Sequence, residues 1–129
     1  MVFADVETLV AEWLRTQLDP TVTVRAELPD SVKLATPLVC IERFGGSDRL
    51  PGVDRTTIDI DAFADGNGAA KALIAKVREL LRTQLPGHSV PGATVSQVST
   101  ILGEHRREWD DSATRRRGAS FEIVVHNTL

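Results

Sequence analysis

The chain has 129 residues, a formal net charge of −3, 42% hydrophobic and 26% charged residues, and one cysteine. That length suits a single domain over residues 1–129 that buries about two-thirds of its unfolded surface without metal or disulfide staples; the composition excludes a disordered chain, and the charge gives no general reason to bind nucleic acid. Cys40, being alone, excludes an intramolecular disulfide, and the opening "MVFAD" has neither the basic start of a signal peptide nor a long apolar run, so the expectation is a protein made and kept in a cytosol, or carried in a particle assembled there, with no membrane contact.

In chain order, Val6, Leu9, Val10, Trp13, Leu14 and Leu18 fall at helical spacing, with Asp5 placed to cap the first turn and Pro20 closing the segment. Glu7, Glu12 and Arg15 occupy the wet side of this helix. "TVTVRAEL" predicts a short strand, interrupted by Pro29 and Asp30. "PLVCIERF" predicts a second, with Val39 and Ile41 on one face and Cys40 and Glu42 on the other. Gly45–Gly52, "GGSDRLPG", carries turn residues at both ends and reads as a loop. In "DRTTIDIDAFA", Ile58, Ile60 and Ala62 alternate with Thr57, Asp59 and Asp61, the clearest strand of the chain. Ala70, Leu73, Ile74, Val77, Leu80 and Leu81 define a second amphipathic helix, ended by Pro86 and Gly87. "ATVSQVSTIL" is a fourth strand, "GEHRREWDDSATRRRG" a long charged loop, and "ASFEIVVHN" a last strand. In the last strand Phe121, Ile123 and Val125 face one way, and Ser120, Glu122 and His126 the other.

The order α-β-β-β-α-β-β predicts an α+β fold: a single mostly antiparallel sheet with both helices packed on one face. The second face of the sheet then stands outside the core. It carries Glu42, Asp59, Asp61 and Glu122, and is expected to be acidic.

The densest cluster of chemistry-bearing residues is "TTIDIDAFADGNGAAKAL", Thr56 to Leu73. An EF-hand loop begun at Asp61 would place Phe63 at a ligand position and Ala72 where the bidentate Glu belongs. A phosphate loop fails because Lys71 has the wrong spacing from the glycines and no hydroxyl follows it, and a dinucleotide fingerprint fails because its third glycine is Lys71. The segment reads instead as a strand-to-helix corner, with Asp65 or Asn67 capping the helix and the glycines permitting the turn. Cys40 sits mid-strand with no activating neighbour and reads as a packed residue. His88, His105 and His126 lack metal-ligand spacing. Asp59 and Asp61 point the same way, which suits acid–base or metal chemistry, but on a wet sheet they read as solubility residues, with Arg25, Arg43 or Arg55 as pairing partners. No catalytic, cofactor or metal site is expected. Arg115, Arg116 and Arg117 form a basic run without interleaved aromatics, which points to a partner's acidic patch or a solvated turn and not to nucleic acid. Trp109, in a strongly charged loop, is poorly explained by the core of that loop, and Trp and Arg are favoured interface anchors.

The opening "VETLVAEWLRTQL", the strand "DRTTIDIDAFA", the helix "AAKALIAKVRELLRTQLPG" and the charged loop followed by "RRRGASFEIVVHN" span nearly the whole chain. In element order and residue class the chain resembles the tail terminator, or tail completion, proteins of long-tailed bacteriophages, especially those of high-GC actinobacterial hosts. The resemblance implies a non-enzymatic virion protein: a homo-oligomeric ring, usually of six copies, at the head-proximal end of the tail tube. Its partners would be further copies of itself, the major tail tube protein and the head–tail connector or stopper, with double-stranded DNA passing through without specific binding. The candidate contact residues are Asp48, Arg49 and Leu50 in the first polar loop and Arg106, Arg107, Trp109, Arg115, Arg116 and Arg117 around the second. Asp59, Asp61 and Glu122 are candidate lumen-facing acids, because carboxylates on a channel wall repel phosphates. The rival readings are a head-side stopper ring, a small hydrolase or metal-binding enzyme built on Asp59 and Asp61, and a dimeric ligand-binding module.

Overall fold

The computed structural model describes residues 4–48, 51–107 and 114–127. Arg49, Leu50 and Trp109, expected in contact loops, lie outside the described residues. Along the chain run α1 (Val6–Gln17), β1 (Thr23–Arg25), α2 (Val32–Ala35), β2 (Leu38–Ser47), β3 (Val53–Ala64), α3 (Asn67–Thr83), β4 (Ser89–Val90), β5 (Ala93–Arg107) and β6 (Arg115–Asn127). The strands form one sheet in the order β1-β2-β3-β6-β5-β4. Every pairing is antiparallel except that of β1 with β2, which is parallel and makes the sheet mixed. A parallel neighbour needs a crossover, and residues 26–37, with α2 inside them, supply it.

Helix α1 begins where the sequence places it. The Asp5 carboxylate accepts the Thr8 backbone N–H at 3.2 Å and the Thr8 hydroxyl at 2.9 Å. This satisfies a donor the helix itself leaves orphaned. Val6, Leu9, Val10, Trp13 and Leu14 are buried on its inner side. From the other side Arg15 donates twice to the Val24 carbonyl, at 3.1 and 2.7 Å, tying α1 to β1. Helix α3 buries Ala70, Ile74, Val77, Leu80 and Leu81. Both helices pack on the same face of the sheet, against Val39 and Ile41 of β2, Ile58 and Ile60 of β3, and Ala119, Phe121, Ile123 and Val125 of β6. The start of α3 differs from expectation. Its N-cap is Gly66, at φ 116°, with no side-chain cap. Asp65 instead accepts the Thr36 hydroxyl at 3.4 Å, and the Asn67 side-chain oxygen accepts from Arg117 at 3.4 Å. A left-handed residue is needed at this corner, and only glycine adopts it without strain.

Two expected loops are largely strand. Strand β2 continues through the glycines to Ser47, and β3 begins at Val53, so the first polar loop shrinks to the tip of a hairpin. The pairing slips by one residue between Arg43 and Gly45. Gly46, at φ 143°, lies so close to the Arg55 carbonyl that no side chain fits there. The glycines therefore serve a bulge and a close strand approach and not a turn. In the same way the described parts of the charged segment after Leu102 are strand, with β5 running to Arg107 and β6 starting at Arg115. The second sheet face is also less open than expected. At one end a small cluster of Val32, Leu38 and Phe63, with Ala35 and Cys40 against it, covers it.

Candidate functional site

The outer face of the sheet, opposite the helices, gathers charged side chains from β3, β5 and β6. The register sets Asp59 beside Ser120 and Asp61 beside Gly118, and on the far side of β6 sets His105 beside Gly118 and Arg107 beside Arg116. Because side chains alternate along a strand, all of these project to one face. The Arg107 guanidinium crosses over β6 to reach β3. It grips both oxygens of Asp59, each at 2.7 Å, and Asp61 at 2.9 Å. Arg116 donates to the other Asp61 oxygen at 3.0 Å and lies 5.6 Å from the Phe63 ring centroid. The Ser120 hydroxyl donates to Asp59 at 2.7 Å. Arg107 Nε also donates to His105 Nε2 at 3.1 Å, while His105 Nδ1 lies 2.9 Å from the Gly103 carbonyl. A carbonyl only accepts, so the proton of this imidazole sits on Nδ1 and the Nε2 lone pair receives Arg107.

Two arginines directly opposite one another in a sheet repel. Arg107 and Arg116 are held in that position because Asp61 accepts from both. Burial alone would raise the Asp59 carboxyl. Hydrogen bonds from Arg107 and Ser120, with the charges of Arg107 and Arg116, outweigh it and hold Asp59 below the ordinary carboxylate range. The hydrogen bond to Asp59 likewise raises Arg107 against the effect of its own burial. The crossing depends on Gly118. A Cβ there would overlap the Arg107 guanidinium and lie 2.6 Å from Asp61 Oδ1.

The residues singled out in the sequence are thus divided by the fold. Arg107 and Arg116 join Asp59 and Asp61 on the outer face. Arg117 points to the helix side, where it is ion-paired with Glu104 and holds that carboxyl below its usual value. Glu122 pairs with Arg55 at 3.3 Å. Arg43, one of the expected partners of Asp59 and Asp61, instead pairs with the buried Asp54 at 3.1 Å. The partners of the two aspartates are therefore Arg107 and Arg116, and not Arg25, Arg43 or Arg55. Arg106 and Asp48 are exposed, and Arg115 stands beside Ala64 at the end of β3. Gly118 escaped the sequence reading, and Ser120 and His105, read there as an outward-facing strand residue and as a histidine without metal-ligand spacing, were not joined to the aspartates; the signal for that is the register of β6 against β3 and β5, which a linear pattern does not carry.

Chemically, these carboxylates are engaged as acceptors on nearly every oxygen, the condition of a structural lattice and not of a general base awaiting a proton. Among the described residues no three His, Cys, Asp or Glu side chains gather in a way that could hold a metal ion. Burial, reinforced by the Asp61 charge, pushes the Cys40 thiol up to about 11, so it stays protonated at neutral pH and is a poor nucleophile. A cleft of about 390 Å³ lies beside β2, lined by Glu27, Leu28, Cys40, Glu42, Asp61 and Arg116 among others.

Compared with known proteins, residues 2–104 match the family model described as phage tail termination protein. Among solved structures the chain is similar to one from the virion of a native gene transfer agent particle, with 18% identity and a TM-score of 0.54, covering 96% of this chain and 87% of that one. At that identity the likeness concerns the fold. Among curated proteins nothing matches.

Proposed function

Because the chain belongs to the family of phage tail termination proteins, structural components of the virion tail, we propose that it assembles into a ring of six copies on the head-proximal end of the tail tube. There it ends tube polymerisation and offers the surface on which the head-side connector docks. Its partners are further copies of itself, the major tail tube protein and the connector or stopper, and DNA passes through the ring without specific binding. The observation that carries this reading is the family match from α1 through most of β5. The outer-face lattice supports it, since the carboxylates that could have served chemistry are engaged in fastening β5 to β3 across β6.

The proposal includes the outer sheet face, with Asp59, Asp61 and Glu122, as the wall of the channel. Each of these acids has an arginine partner, so the wall would carry alternating, compensated charge and offer phosphates no net hold. The contact surfaces proposed for neighbouring copies and partners centre on the two hairpin ends, which hold Asp48, Arg106 and Arg115. Disrupting the gene in a phage genome tests the reading. Overlong tubes without heads are the expected result. Tails of normal length beside filled heads that leak DNA would assign the chain to the head-side stopper instead.

A further inference from the structure

The sheet is open at both margins. Strand β1 pairs with β2 only from Leu38 to Cys40, so among the described residues no strand lies beside β2 from Glu42 to Ser47, where the Arg43 N–H donates instead to the Glu7 side chain at 2.9 Å, a contact an incoming strand would displace. At the other margin β4 pairs with β5 only at Ala93 and Thr94, so among the described residues no strand lies outside β5 from Gln97 to Arg107. Open margins of this length are sites of strand addition unless something covers them. The large apolar side chains that the fold leaves in water lie at these same margins: Phe44 (57% exposed) and Leu28 (52%) at the β2 side, Ile101 (54%) and Leu102 (51%) on β5. The cleft beside β2 adds room for an incoming strand.

We infer that the open β2 margin of one copy receives the open β5 margin of the next, so that adjoining sheets continue as one β-structure. Strand direction carries the argument first. Three successive antiparallel steps, β2 to β3 to β6 to β5, make β5 run opposite to β2. A copy rotated about an axis along the strands therefore brings β5 against β2 as an antiparallel pair, the geometry of strand addition. Charge carries it second. Glu27 and Glu42 at the β2 margin have no ion-pair partner among the described residues, whereas Arg43 there is neutralised by Asp54. At the β5 margin Arg78 and Arg106 have no ion-pair partner among the described residues, whereas Glu104 is neutralised by Arg117. An acidic margin therefore meets a basic one in head-to-tail pairing, while a two-fold pairing of like margins sets acid on acid or base on base. This inference rests on the ring reading and gives that ring its joint.

Site-specific cross-linking tests it. In a Cys40→Ser background, one preparation carries Phe44→Cys and another Leu102→Cys, both at exposed positions. A short bismaleimide is added to each alone and to the mixture, and the experiment is repeated with Ser47→Cys and Ile101→Cys. Electron microscopy of the uncross-linked protein, alone and on isolated tail tubes, reports ring formation independently. Cross-linked pairs confined to the mixtures are expected, together with rings. Rings without mixed cross-links would overturn the joint and leave the ring. Mixed cross-links without rings would uphold the joint and overturn closure. Cross-links in a single preparation would overturn the joint in favour of a two-fold dimer, and neither rings nor cross-links would overturn both.

Discussion

Gly118 decides whether Arg107 can reach across β6. Its backbone is ordinary, so the requirement is for space and not for an unusual φ. Gly118→Ala forces the guanidinium off Asp59 and Asp61 and is expected to cost roughly 1–3 kcal/mol, the range for lost hydrogen bonds to charged groups, read from urea denaturation. Arg107→Met should cost roughly 1–3 kcal/mol, since among the described residues it leaves Asp59 with Ser120 alone and Asp61 with Arg116 alone. If Gly118→Ala is as stable as the parent, the lattice contributes little. The pH dependence follows from Asp59. Its folded pKa is depressed, so the folded chain binds fewer protons than the unfolded one below the ordinary value of 3.8. The stabilisation is therefore complete above that value and fades as pH falls through the lower folded pKa. Asp59→Asn should lose stability at neutral pH and show a shallower acid limb than the parent, and parallel curves would exclude the lattice as the source of that limb.

At the scale of the elements, legibility follows burial. Helices α1 and α3 and strands β3 and β6 bury one side, and their apolar residues recur at 3.6 or 2, so Val6 to Leu14, Ile58 to Ala62 and Phe121 to Val125 announced both element and face. The distal parts of β2 and β5 bury little. Their side chains are ordered by ion pairs across strands, which leave no period along one strand, and "GEHRR" and "GGS" therefore look like loop. The same reason hid the lattice: Asp59 and Asp61 were visible as a same-face pair, but Arg107 lies 46 residues from Asp61 in sequence and becomes its partner only through register. Gly46 tests this view of the first hairpin. Its Cβ would strike the Arg55 backbone carbonyl, which cannot swing aside as a side chain can. Gly46→Ala should cost roughly 2 kcal/mol, as backbone-incompatible substitutions do. It should also speed amide exchange at Ser47 and Thr56 while leaving α3 protected, and uniform acceleration would mean that the hairpin does not open independently.

For the whole molecule the orientation of the sheet in the proposed ring is the decisive quantity, and Glu122 is the residue with which to measure it. Lysine at Asp59 or Asp61 would strand Arg107 and Arg116 and confound any readout with misfolding. Glu122 has a different energetic position. Its pairing with Arg55 joins side chains that are 35% and 50% exposed, and such surface pairs are worth at most about 1 kcal/mol. Glu122→Lys should therefore leave the fold and tail length intact while replacing a negative charge by a positive one in every copy and releasing the charge of Arg55 from its partner. If the outer face lines the channel, a closed belt of cations then meets the passing phosphates, and DNA release triggered from purified particles should slow. The slowing should be strongest at low salt and disappear as salt screens the belt, because phosphate binding to cations weakens steeply with ionic strength. Arg55→Glu supplies the opposite sign and should not slow release. Release that is equally fast for Glu122→Lys at low salt would turn the outer face away from the DNA path, leaving the tail-terminating role and the strand-to-strand joint to be judged by their own tests.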